Sequence, residues 1–164
     1  MMRAALAGVL IAACASGPND RASDSTTDPS AQIDTTRVRE IASFQQTGWD
    51  AAATIVIDDQ YTLASAWKVA HSGMSDVPPL PALDLTRDRA MVVAAGMRTS
   101  GGYVLKLGDH LVSHDTLVIG VVLQRPGANC TTTAQLTAPA IFLAVPRTAA
   151  STRIAMSERD GPSC

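Results

Sequence analysis

Residues 91–97, Met-Val-Val-Ala-Ala-Gly-Met, form an unbroken apolar run that ends at Arg98. A run this long with no polar alternation reads as a central strand buried on both faces. Such a strand lies inside a sheet, so the rest of the chain has to supply its neighbours. Residues 103–111 alternate Tyr103, Leu105 and Leu107 against Lys106 and His110, the pattern of a half-buried strand. After the polar tip Ser113-His114-Asp115-Thr116, residues 117–124 read as another, and 40–47, 52–57, 140–145 and 153–156 complete the set. One helix is expected, over 60–71. Asp58-Asp59 stand where an N-cap belongs, Leu63, Ala66, Trp67 and Ala70 recur at helical spacing, and Gly73 marks the stop. Trp67 on that stripe is expected to face the sheet. Pro78, Pro79 and Pro81 make the segment after the helix a stiff connector without regular structure.

The expected fold is therefore α+β, mainly β: an antiparallel sheet of about six to eight strands packed on one short helix. With 164 residues, the chain is long enough for one ordinary domain and too short for two. Its 46% hydrophobic content argues against a largely disordered chain, and a formal charge of −2 without a basic cluster excludes a nucleic-acid binder. Three cysteines, an odd count, leave one that needs a separate explanation.

The N-terminus supplies it. Met1-Met2-Arg3 is followed by small and aliphatic residues to Ala13 and then Cys14, the shape of a secretory signal. A helix of ten such residues rises about 15 Å, half a bilayer core, too short to span. Ile11-Ala12-Ala13-Cys14 resembles the bacterial lipobox, with Ile where Leu is commonest. That resemblance implies diacylglycerol on the Cys14 thiol, cleavage before it, and acylation of the new amine; two or more chains anchor stably. The other reading is an ordinary secretory signal in which Cys14 is incidental. Ala15 rather than Asp after the cysteine favours the outer over the inner membrane. Residues 15–36 hold one large aliphatic, Ile33, and more Asp (20, 24, 28, 34) than Arg (Arg21). Such a segment reads as a disordered tether with a reach of roughly 25–28 Å. The chain thus divides into a signal peptide (1–13), a lipid-anchored tether (14–36) and a β-rich domain (37–164). Removing Arg3, Arg21 and the four tether aspartates from thirteen basic and fifteen acidic residues leaves eleven of each in the domain.

Cys130 and Cys164 then pair off as a disulfide in an exported domain, pinning the C-terminus against the sheet. Closing that loop is worth roughly 3–4 kcal/mol in the chain-entropy account. Two unpaired thiols are the alternative.

The most distinctive polar segment is Arg98, Thr99, Ser100, Gly101, Gly102 and Tyr103. Ser100 lacks the preceding glycine and following helix of a nucleophile elbow, so the segment reads as a glycine-rich hairpin turn between two strands. His110 and His114 lie beside Asp109 and Asp115, too few converging ligands for a metal, and read as polar turn residues. His71 stands alone near a helix end. No cofactor or metal is expected.

With these residues in view, the chain resembles the PrcB-like domain family, named after the lipoprotein subunit of a spirochaetal surface protease complex. The stretches that carry the resemblance are Asp84-Leu85, residues 90–97, Thr99-Ser100-Gly101-Gly102-Tyr103, Arg125-Pro126-Gly127 and Thr137-Ala138-Pro139, over roughly 40–148. Leu85 departs from the family's Phe. The family carries no known catalytic residue, and its members are often lipid-anchored. It implies a non-enzymatic, lipid-anchored accessory or protein-interaction module in the bacterial cell envelope. The implied partners are the membrane, through Cys14, and an exported protease or other envelope protein, met through the Arg98–Tyr103 hairpin. Two other classes stand beside it: a serine hydrolase using Ser100 with His110 or His114, and a small-ligand binder with its pocket under Trp67 and Tyr103.

Overall fold

The computed structural model describes residues 33–148 and 151–164; the signal segment, Cys14 and most of the expected tether lie outside them. In chain order the described residues form β1 (Arg39–Phe44), β2 (Ala52–Ile57), helix α1 (Gln60–Ala70), β3 (Asp88–Ala95), β4 (Val104–Ser113), β5 (Thr116–Arg125), β6 (Ala140–Pro146) and β7 (Ser151–Asp160). The fold is mainly β with one helix, as expected, but the strands divide between two sheets. One has the order β1-β6-β3-β2 and the other β4-β5-β7.

The apolar run explains the division. Side chains alternate across a strand, so Ala90, Val92 and Ala94 of β3, with Ala140 and Phe142 of β6, meet α1 through Leu63, Ala66, Trp67 and Ala70. Met91, Val93 and Ala95, with Ile141, Leu143 and Val145, turn the other way onto Leu105, Leu117, Ile119, Val121 and Leu123 of the second sheet. The four-stranded sheet is thus the middle of three layers, which is why its two inner strands carry no polar alternation.

Asp59 caps α1, its carboxylate accepting from the Thr62 backbone N–H at 2.8 Å and the Thr62 hydroxyl at 2.7 Å. Asp58 does not cap; its carboxylate pairs with Arg147 (3.1 Å) and Arg89 (3.5 Å). On the buried side of the helix, Phe44, Trp67 and Phe142 meet edge-to-face at 5.4–5.8 Å between ring centres. The Trp67 indole N–H donates to the Pro78 carbonyl at 2.9 Å, so the proline-rich connector folds over the helix.

All strand pairs are antiparallel except β5 and β7, which run parallel from Thr116↔Ser151 to Arg125↔Asp160. A parallel pair needs a crossover, and β6 is that crossover: it returns the chain through the other sheet to the end where β5 begins.

The domain also starts earlier than residue 37. Ile33 is 8% exposed and joins the core between the sheets, and Asp34 caps a single 3-10 turn over Thr35–Arg37. A lone aliphatic in a polar segment is a weak signal, but here it is an anchor into the core. The chain therefore enters at the end of the molecule where β1 begins.

Candidate functional site

At the opposite end lies an open cleft of about 690 Å³. It sits where β1, β5 and β7 finish and β4 begins, so its walls are connecting segments. Gly101 and Gly102 form one side, residues 125–127 and 130–133 another, and Gly161, Pro162 and Cys164 a third. The Cys130–Cys164 disulfide is present, with Cα atoms 4.9 Å apart, and joins two of these walls.

Close backbone packing holds the cleft open. The Gly101 N–H donates to the Thr133 carbonyl at 3.0 Å, and a β-carbon at Gly101 would collide with the Thr133 hydroxyl. At Gly127 a β-carbon would collide with the Pro162 carbonyl oxygen, so the last described segment lies directly on residues 125–127. The Gly161 N–H to Arg125 carbonyl bond (2.8 Å) and the Cys164 N–H to Ala128 carbonyl bond (3.3 Å) fasten it there. Gly102 has φ +88°, a conformation that favours glycine.

The segment from Arg98 to Tyr103 is not a hairpin, contrary to its sequence pattern. β3 pairs with β2 and β6, whereas β4 pairs with β5, so the segment crosses from one sheet to the other. Turn chemistry in a sequence marks a reversal without saying which strands it joins. Arg98 and Thr137 exchange backbone hydrogen bonds (2.7 and 3.0 Å), and the Thr137 hydroxyl donates to the Ser100 carbonyl at 2.8 Å. The Arg98 guanidinium lies 6.0 Å from the Tyr103 ring centre and 3.9 Å from Glu158. Thr99 is exposed, and Tyr103 packs on the core between the sheets. Of the six, Gly101 and Gly102 line the cleft.

Ser100 has no histidine beside it. His110 lies on β4, about 20 Å along the strand from its start, where its Nε2 is 3.0 Å from the Thr35 carbonyl oxygen. His114 lies further on, at the β4–β5 turn with φ +57°. Neither histidine can serve Ser100. Trp67 and Tyr103 lie on opposite faces of the middle sheet, so no pocket forms beneath both. His71 is buried at the end of α1, with Nδ1 2.8 Å from the Trp67 carbonyl oxygen. Among the described residues, no three of His, Cys, Asp and Glu converge as metal ligands would.

The cleft was not foreseen in the sequence. Gln45, Gln46, Lys106, Gln124, Thr131 and Thr132 line it, and among the described residues none of these side chains bonds to another protein group. Among the described residues, no His, Asp, Glu or Ser side chain lines it. Its signal in the sequence is the threonine run 131–133 directly after a cysteine, which carries no periodicity. The carboxyls held below the ordinary value of 3.8 are elsewhere. Asp34 and Asp84 are lowered chiefly by the hydroxyls of Thr36 and Thr86, and Asp59 by the Thr62 N–H.

The stretches that carry the family resemblance gather here. Gly101-Gly102, Arg125-Pro126-Gly127 and Thr137 all line the cleft. Asp84 instead organises the turn into β3, and Leu85 packs on the helix side of the core, the role expected where the family has Phe. No curated protein and no solved structure matches this chain. A family model described as PrcB C-terminal matches residues 90–146. That stretch runs from Ala90 in β3 to Pro146 at the end of β6, and it is similar to a PrcB C-terminal domain.

Proposed function

We infer that the protein is a non-enzymatic accessory module of the bacterial cell envelope, anchored by lipid on Cys14 and engaging a partner protein at the cleft end. The outer membrane is the favoured location, from Ala15, and an exported protease or another envelope protein is the favoured partner. One observation carries this reading: stretches of the family resemblance far apart in sequence, at residues 101–102, 125–127 and 137, converge on one open cleft. The separation of Ser100 from both histidines removes the geometry on which a serine hydrolase would depend. Anchoring would raise the local concentration of the module at the membrane, so even a weak contact could be occupied.

Crosslinking in native membranes followed by purification of the full chain tests the reading. A partner recovered in fixed proportion is expected, with release to the soluble fraction and loss of palmitate labelling in Cys14→Ser. Recovery of monomer alone at every salt concentration overturns the interaction. Undiminished labelling of Cys14→Ser overturns the anchor. Labelling of Ser100 by a fluorophosphonate overturns the non-enzymatic assignment.

A further inference from the structure

The chemistry of the cleft walls limits what it can take. Gln45, Gln46 and Gln124 each offer both a donor and an acceptor, and the threonine hydroxyls do the same. That combination matches a main chain, which presents N–H and C=O groups in alternation. Sugars are usually held on aromatic faces, and among the described residues no aromatic side chain lines the cleft. Its apolar side chains are Val104, Pro126 and Pro162 beside the disulfide, with no large aliphatic or aromatic group to enclose an acyl chain.

Charge adds a second constraint. Lys106 is exposed, lines the cleft and has no acidic partner among the described residues. Arg125, the other cation there, is held by Asp160 at 3.1 Å. Among the described residues no Asp or Glu side chain lines the cleft, so the Lys106 ammonium stands beside a field of amides and hydroxyls without an acidic side chain to pair with. The walls are fixed before any ligand arrives, by the disulfide and the backbone bonds at Gly101 and Gly161. Preorganisation of this kind lowers the ordering cost of binding.

We propose that the cleft binds an extended peptide segment carrying an Asp or Glu side chain. Its main chain bonds to the glutamine amides and threonine hydroxyls, and its carboxylate meets the Lys106 ammonium. This rests on the interaction reading above and specifies the chemistry of the partner segment.

Selection of a random octapeptide display library on the full chain tests it. Enriched peptides are expected to share an Asp or Glu, and Lys106→Glu should weaken the best of them at least tenfold. Exchanging the peptide's acid for Lys should recover binding to Lys106→Glu. Thr132→Trp, which fills the cleft from an exposed position without adding charge, should abolish binding, and Arg153→Glu on the far part of the second sheet should leave it unchanged. Enrichment without an acidic position, affinity for Lys106→Glu within twofold of the parent, or no enrichment over an unrelated protein overturns the proposal. So does binding to a glycan array with no peptide selected. A native partner whose crosslinking survives both Lys106→Glu and Thr132→Trp would sink the cleft proposal and leave the interaction reading standing. No partner and no peptide would remove both.

Discussion

The two ends of the molecule are built on opposite plans. Where the chain enters, polar groups are committed to one another. The Asp88 carboxylate, 6% exposed, takes Arg37 at 2.5 Å and Arg39 at 3.4 Å. Arg147 donates to the Leu85 carbonyl at 2.6 Å, the Asp88 carbonyl at 3.1 Å and the Asp58 carbonyl at 2.7 Å. At the cleft end, glycine contacts and a covalent bond set the shape, and the polar side chains face outward. The first end behaves as a clasp, the second as a receptacle. Stability and recognition can therefore be perturbed separately.

The largest effect should come from removing the covalent bond. Cys130→Ala with Cys164→Ala should lower stability by roughly 3–4 kcal/mol in denaturant unfolding. Hydrogen exchange should quicken at residues 125–133 and 161–164 while the Arg147 neighbourhood keeps its protection. Equal loss at both ends would erase the distinction between them. Next, Asp88→Ala should cost about 1–3 kcal/mol, less than a fully buried pair because both arginines can reach water. Peptide binding at the cleft should not change.

Acid should act away from the cleft. The Asp59 carboxyl is held below 3.8 when folded, so its contribution to stability is complete above that value and declines as pH falls through its lowered folded value. Asp59→Asn should flatten the acid side of the thermal-melting profile and leave the neutral side of its shape intact. Smallest of all, Thr132→Ala should shift stability by no more than about 0.5 kcal/mol while weakening any peptide the cleft selects. A larger loss of stability would show that Thr132 belongs to the framework and not to the receptacle.

Much of the framework was legible residue by residue. The alternation of Leu105 and Leu107 against Lys106, and the spacing of Leu63, Ala66, Trp67 and Ala70, report which side of an element is buried. Their positions in the structure agree with that reading. The same alternation is silent on which sheet buries them, because a period of two is satisfied by any facing layer. Hence the division into two sheets and the parallel pairing of β7 were hidden, as was the inter-sheet path of the Arg98–Tyr103 segment. The cleft was hidden for a different reason: Gln45, Gln124 and Thr131 are ordinary polar loop and strand-end residues until three connections are brought together. Ile33 was the reverse case, an apolar residue whose importance its polar surroundings concealed.

The parallel pairing of β5 with β7 also makes one wall of the cleft depend on contacts far apart in the chain. β4 and β5 can zip locally from the two-residue His114-Asp115 turn, whereas Thr116 and Ser151 meet across 35 positions of chain. Bringing such distant partners together costs closure entropy before any contact compensates, so non-local strands join late. Gly161 and Pro162 follow β7 directly, so they reach the cleft through this long-range pairing. The third wall of the cleft therefore does not come with the local β4–β5 hairpin, and only a chain with β7 in place presents the complete receptacle.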